Sequence, residues 1–119
     1  MPIGVPFKSL QPNDPIRIKR LNDQFRRSFV GGRIMTTIGV NELGVERVTY
    51  LLRKVRCFDA FDEGNDPHGE HDFGSFEDGG QKFFWKIDYY DLTLKYRSDD
   101  PGDPIKTIRV LTLMLSEEW

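Results

Sequence analysis

The sequence of 119 residues has one cysteine, two histidines and no long run of apolar residues. The lone Cys57 excludes an internal disulfide framework and favours a reducing compartment. No apolar stretch reaches the roughly 18 residues that a membrane-spanning helix needs. The start, MPIGVPFKSL, lacks the basic and apolar regions of a secretory signal. We therefore expect a cytoplasmic protein without a membrane partner.

Short catalytic and nucleotide-binding signatures are also missing. The chain contains no P-loop, no G-x-G-x-x-G, no G-x-S-x-G and no C-x-x-C. It does contain 38% hydrophobic and 13% aromatic residues, which is enough for the core of one domain. The composition therefore excludes whole-chain disorder, but it names no reaction.

Charge is nearly balanced overall and unevenly divided along the chain. Residues 1–56 carry 11 Lys+Arg and 4 Asp+Glu, whereas residues 57–119 carry 6 and 15, for a net charge of −2. Eight acids and no Lys or Arg fall within residues 59–79. Such a division indicates a basic face for an anionic partner, an acidic face that imitates nucleic acid, or attraction between the two halves.

Apolar spacing predicts two helices, at about 14–30 and 43–56. In the first, Asp14 can cap the free amides, Pro15 fits the first helical position, and apolar residues then recur every three or four positions. In the second, the apolar residues repeat at the same spacing. Residues 1–13 contain three prolines and are predicted to form an irregular arm.

Alternating and β-branched residues predict three strands, at 33–40, 83–94 and 107–115. The last two should pair as an antiparallel hairpin at the centre of the sheet. The glycine-rich stretch 62–82 is predicted to be a long loop or a loosely paired hairpin. We therefore predict an α+β fold, with two helices packed on a small antiparallel sheet in one domain over 14–119.

Both histidines lie in one acidic segment, NDPHGEHDFG at residues 65–74. Imidazole nitrogens and carboxylate oxygens are ligands for divalent metals. The predicted metal ligands are His68, His71, Asp72 and Asp88. With Glu70 as general base on a metal-bound water, the alternative function is a divalent-metal-dependent hydrolase or nuclease. A turn in which Asp66 caps backbone amides explains the same segment without a metal.

Asp88 needs its own explanation, because it interrupts a run of strand-forming residues. In the metal hypothesis it joins the loop at 65–74 as a ligand or as a general base. Otherwise it pairs with Lys86, or with Arg109 across the hairpin.

The charged segments also predict an interaction surface. The basic helix is expected to grip phosphates or to be a solvated helix face. The predicted interaction residues are three acids of the loop and five basic residues of the first helix: Asp66, Glu70, Asp72, Arg17, Lys19, Arg20, Arg26 and Arg27.

Five segments of the chain resemble a family of short bacterial proteins. They are LNDQFR (21–26), GGRIMTTIGV (31–40), NDPHGEHDFG (65–74), FWKIDYYD (84–91) and TIRVLTLML (107–115). That family is classed as a domain of unknown function and is met mostly in alphaproteobacteria, often on plasmids and other mobile elements. The resemblance spans about 14–119 and implies a small cytoplasmic accessory protein.

The mobile-element context of the resembled family favours proteins that block host defence. Together with the small size and the opposed charges, it predicts a non-enzymatic interaction protein. Its partner would be a host defence or nucleic-acid-handling complex, as for anti-CRISPR or anti-restriction proteins. A protein partner is expected, and direct nucleic acid binding would use the basic helix.

Overall fold

This computed structural model describes residues 14–119. They form helices and four strands, and the strands make one sheet. The elements are α1 (Pro15–Ser28), β1 (Gly32–Thr36), α2 (Ile38–Asn41), α3 (Val45–Arg56), β2 (Phe73–Asp78), β3 (Gln81–Tyr90), β4 (Ile108–Leu115) and a 3-10 turn at Ser116–Glu118. The predicted arm at 1–13 lies outside the described residues, and the one-domain boundary stays a prediction.

The sheet has the strand order β1-β4-β3-β2. β3 pairs antiparallel with β4 from Phe83 opposite Leu115 to Tyr90 opposite Ile108, and β2 pairs antiparallel with the other side of β3. This confirms the α+β class and the central β3–β4 pair. β1, however, runs parallel to β4, so the sheet is mixed rather than antiparallel. Side-chain alternation does not encode strand direction, which is why the sequence missed it.

The sequence placed the helices better than the strand ends. α1 begins as predicted, because the Asp14 carboxylate accepts a hydrogen bond from the Ile16 amide at 2.9 Å and Pro15 occupies the first turn. It ends at Phe29, whose φ of 59° is left-handed. α3 lies within two residues of its predicted bounds.

Two of the three predicted strands are shorter than expected. β1 stops at Thr36 because the Thr37 hydroxyl accepts a hydrogen bond from the Val40 amide and starts α2, so the prediction of a strand to 40 is wrong. β3 stops at Tyr90, since Asp91 then folds a turn by accepting a hydrogen bond from the Thr93 amide at 3.1 Å.

The stretch 62–82, predicted as a long loop or a loosely paired hairpin, contains both: a loop to residue 72, and then β2, which forms a hairpin with β3. The bounds of β2 were not predicted, because Gly74 and the acids at its end hide the alternation. One face of the sheet is covered by α1 and α3, and this covered face includes Trp85 and Leu113, both fully buried. Gly74 lies opposite Trp85 on this face, and a Cβ there would lie 2.7 Å from Cε2 of the indole and closer still to Nε1. Glycine is therefore required where the indole packs against β2.

The opposite face of the sheet, which we call the open face, has none of the described helices packed across it. Lys86, Asp88 and Tyr90 of β3 point to it, alternating with the buried Ile87 and Tyr89. The open face is therefore the side of the sheet that α1 and α3 leave uncovered.

Gly74→Ala tests the β2–β3 register. Because the buried Trp85 cannot move away from a new methyl group, we expect a loss of about 1–3 kcal/mol in the free energy of unfolding, measured by urea denaturation. The matched variant Ser75→Ala changes a neighbouring residue on the open face and should shift that free energy by less than about 0.5 kcal/mol. Equal effects from the two variants would contradict the register.

Candidate functional site

Three polar residues of α1 point inward, toward the sheet and toward residues 57–72. We call this segment between α3 and β2 the acidic loop. We call Asn22, Asp23 and Arg26 the polar edge of α1. Asn22 and Arg26 are both fully buried. The sequence analysis placed Arg26 on the interaction surface and did not single out Asn22. The structure corrects the first point, because no part of Arg26 is available to a partner.

The Arg26 guanidinium joins α1 to the end of α3. Its Nη1 donates hydrogen bonds to the carbonyls of Val55 (3.0 Å) and Arg56 (3.1 Å), and its Nη2 lies 3.1 Å from Oδ1 of Asp23. Burial lowers the pKa of Arg26, and the hydrogen bond that Arg26 donates to Asp23 opposes that shift. The guanidinium also lies over the Trp85 ring, 5.3 Å from its centroid. One side chain therefore connects both helices with the sheet.

His71 fastens the acidic loop to the polar edge. Its Nδ1 lies 2.9 Å from Oδ1 of Asp23, and its Nε2 lies 3.6 Å from Oδ2 of Asp66. The imidazole stacks on Phe61 with ring centroids 3.7 Å apart, and the His71 amide donates to Asp66 at 3.1 Å. Both ring nitrogens thus face carboxylates of this chain, so the side chain acts as a clamp between the loop and α1.

A second chain of hydrogen bonds runs from the loop to β4. The Asn22 amide nitrogen donates to the Tyr89 hydroxyl (2.8 Å) and to the Glu70 carbonyl (2.9 Å), while Tyr89 donates to the Glu70 carboxylate at 3.0 Å. Nε of Arg109 donates to Oδ1 of Asn22 at 2.7 Å. Burial raises the pKa of Tyr89, which keeps its hydroxyl a donor to Glu70.

The loop itself is built from hydrogen-bonded turns. Oδ1 of Asp62 accepts from the amides of Gly64 (2.8 Å) and Asn65 (2.9 Å), and the Asp66 amide donates to the Asp62 carbonyl at 2.8 Å. The carboxylate of Asp66 accepts from the His71 amide, as the capped-turn interpretation predicted. The exposed acids of the loop are therefore presented by an ordered backbone.

The predicted metal ligands lie in different surroundings. His68 is exposed, and Asp88 lies on the open face, where its Oδ2 is 2.9 Å from Nζ of Lys86. That ion pair is one of the alternatives predicted for Asp88. Within residues 14–119, no group of three or more His, Cys, Asp and Glu side chains is arranged to hold a metal ion. His68, His71, Asp72 and Asp88 are thus not brought together as one ligand set.

Asp72 is the acid of the loop that burial perturbs most clearly. Burial raises the pKa of its carboxyl group, and the nearby carboxylates of Glu70 and Asp66 raise it further. Glu70 and Asp72 are half-buried, and Asp66 is held by His71. Of the predicted interaction acids, Asp66 and Glu70 therefore make internal contacts, with His71 and Tyr89 respectively.

The remaining basic residues of α1 lie at the surface. Arg20 and Arg27 are exposed, and Arg17 and Lys19 are partly exposed. Elsewhere the two oppositely charged halves of the chain attract each other, because Asp78 lies 2.9 Å from Arg47 and 3.8 Å from Lys54 of α3. Part of the charge division therefore stabilises the fold.

A groove crosses the open face beside the last residue. Its volume is about 440 Å³, and its apolar lining includes Met35, Tyr90, Val110, Met114 and Trp119. We call it the open-face groove. The sequence analysis missed it, although the alternation of β3 and β4 was the signal that could have located it.

The wall of the open-face groove is held in place by Glu118. This carboxylate accepts hydrogen bonds from the amides of Gly39 and Leu115, both at 2.9 Å, and from the Thr37 hydroxyl. Hydrogen bonds to the charged form lower the pKa of Glu118, so it is ionised at neutral pH. The turn directs Trp119 onto the open face, where it packs edge-to-face against aromatic rings of β2 and β3.

These features define a two-layer α+β protein whose sheet has helices across one face. The chain belongs to DUF3768, a family described as proteins of unknown function, whose model matches residues 36–118. The match runs from the end of β1 to the 3-10 turn and leaves out α1. Comparisons with curated proteins and with solved structures return no match. Within residues 14–119, no helix is long and apolar enough to span a membrane.

A double-mutant cycle tests the His71 clamp. His71→Ala should lower the free energy of unfolding by about 1–3 kcal/mol, because it leaves a partly buried carboxylate without its partner. Asp23→Ala should lower it further, because Asp23 is also the counter-charge of the buried Arg26. The double variant should lose less than the sum, since the same contact is removed only once. Urea denaturation provides the values, with the exposed His68→Ala as control. Strict additivity would contradict the contact.

Asp72→Asn tests the cost of an ionised Asp72. A carboxyl whose pKa is raised by folding destabilises the folded state once it ionises, so the variant should melt at a higher temperature than the parent at neutral pH. As the pH falls through the raised pKa, Asp72 becomes neutral and the difference should shrink. The matched control removes another carboxylate of the same loop, the exposed Glu63→Gln. A lower melting temperature for Asp72→Asn at neutral pH would refute the assignment.

Proposed function

We propose that this protein is a non-enzymatic interaction protein that docks a partner protein on the open face. The observation that carries the proposal is the open-face groove, whose Trp119 and Met35 side chains are 70% and 52% exposed. Exposed aromatic and aliphatic groups gain free energy when a partner removes them from water. The groove therefore offers a place for an apolar side chain of another protein.

The layer structure of the fold supports the same surface. A sheet is stable when its apolar side is covered by a second layer. Here α1 and α3 cover one side, while Phe73 and Phe84 on the other are only partly covered, in part by Trp119. A partner could therefore cover the apolar side chains of the open face with a further layer.

The charges of the open face favour a protein over nucleic acid. Arg33, Lys82 and Lys86 share the face with Glu77 and Asp88, and Glu118 lines the groove, so neither sign dominates. A phosphate backbone is bound by a positive excess, whereas protein surfaces meet around an apolar centre with mixed charges at the rim. The partner we propose carries an apolar side chain for the groove and charges of both signs around it.

We further propose that the partner belongs to a host complex that handles nucleic acid, and that docking inhibits it as anti-CRISPR or anti-restriction proteins do. The support is the ordered acidic loop, in which Asp59, Asp62 and Glu63 are exposed. Among the described residues these three carboxylates form no ion pair with Lys or Arg. They complement the basic surface that a nucleic-acid-binding protein presents.

Site-specific photo-crosslinking tests the open face. A photoreactive residue at Met35 should capture one protein from a lysate of the source organism, because Met35 lines the groove. The same residue at Ile105, which is 80% exposed in the turn before β4, is the control and should not capture it. The captured protein, once identified and purified, should bind Trp119→Ala at least about tenfold more weakly than the parent, equivalent to ~1.4 kcal/mol.

Two results would contradict the proposal. One is capture of the same proteins from Met35 and Ile105, which would show no preference for the open face. The other is an identified partner that binds the parent and Trp119→Ala equally well. If the partner binds through the groove but has no role with nucleic acid, the docking surface stands and the inhibitor hypothesis is refuted.

A further inference from the structure

A second cavity lies on the covered side of the sheet, away from the open-face groove. It has a volume of about 230 Å³ and sits between the end of α1, the start of β1 and the turn before β4. Its apolar lining includes Leu21, Phe25, Val30 and Pro104. Arg109 is the one charged residue among the described lining residues, and it is only 3% exposed.

Two of the three nitrogens of the Arg109 guanidinium donate hydrogen bonds to described residues, and the group lies over the Tyr89 ring, 5.2 Å from its centroid. Its Nε donates to Oδ1 of Asn22 and its Nη2 donates to the Pro101 carbonyl. Its Nη1 has no hydrogen-bond partner among the described residues, and none of their carboxylates lies within 4.0 Å of the guanidinium. Arginine brings five N–H donors and keeps its charge, so donors remain free beside the cavity.

The Nη1 donor of Arg109 is suited to a carboxylate oxygen as its acceptor. Buried charges are ordinarily paired, and the guanidinium fork matches the two oxygens of a carboxylate. Glu70 attracts Arg109 from a distance, but Asn22 and the Tyr89 hydroxyl link the two without a direct ion pair. A ligand carboxylate could contact the guanidinium directly, which Glu70 does not.

We propose that this cavity binds a small monocarboxylate with an apolar body. The carboxylate accepts a hydrogen bond from Nη1 of Arg109, and the hydrocarbon part packs against Leu21, Phe25 and Val30. Because the cavity lies on the covered side, this site does not depend on the partner proposed for the open face.

Titration with benzoate and hexanoate, followed by amide chemical shifts in two-dimensional NMR spectra, tests the site. We expect saturable shifts confined to residues around the cavity, namely Val30, Gly31 and Thr107. Benzyl alcohol has nearly the same shape without the charge and should bind at least about tenfold more weakly, equivalent to ~1.4 kcal/mol. Equal binding of the alcohol, or shifts that do not saturate, would overturn the proposal.

Variants at Val30 keep the test independent of folding, since this side chain is 74% exposed. Val30→Glu places a competing carboxylate at the cavity and should abolish the benzoate shifts. Val30→Gln has nearly the same size without the charge and should bind benzoate within about twofold of the parent, or ~0.4 kcal/mol. Unchanged benzoate binding in Val30→Glu would show that the anion binds elsewhere and would refute the assignment to Arg109.

Discussion

A guanidinium that is removed from water has to find its hydrogen bonds and its counter-charge within the protein. For Arg26 these come from two carbonyls at the end of α3 and from the Asp23 carboxylate, while the Trp85 ring lies beneath it. The position of α1 on the sheet follows from this requirement. So does the position of the loop, because Asp23 also binds His71.

The contacts of Asp23 also explain the segment at residues 65–74, which contains both histidines. In the sequence, His68 and His71 beside several acids resemble a set of metal ligands. In the structure His71 lies between two carboxylates and on a phenyl ring. Asp66 holds the turn within the loop, and Glu70 joins the loop to Tyr89 of β3. The segment thus stabilises the fold through these contacts. The open face is the surface on which we propose that a partner docks.

The features that the sequence predicts are those whose contacts join residues close together in the chain. The start of α1 at Asp14 and Pro15 and the capping by Asp66 are local, so residue chemistry was sufficient for both. The burial of Arg26 was not predictable, because arginine on a helix is usually solvated and its partners lie 29 and 30 residues away. The alternation of β3 and β4 could have indicated the open face, but the groove also contains Met35 of β1 and Trp119, whose positions depend on the strand order. The parallel direction of β1 likewise depends on the whole sheet.

Native-state hydrogen exchange of residues 64–71 tests most directly whether the polar edge of α1 holds the loop. The amides of Asn65, Asp66, Gly69 and His71 donate to Asp62 or Asp66, so they should exchange more slowly than in an unstructured chain. His71→Ala removes the contact with Asp23 and keeps the Asp23–Arg26 ion pair, so it should speed their exchange while the amides of β3 and β4 keep their protection. Unprotected loop amides in the parent, or a loop unaffected by His71→Ala, would contradict the account.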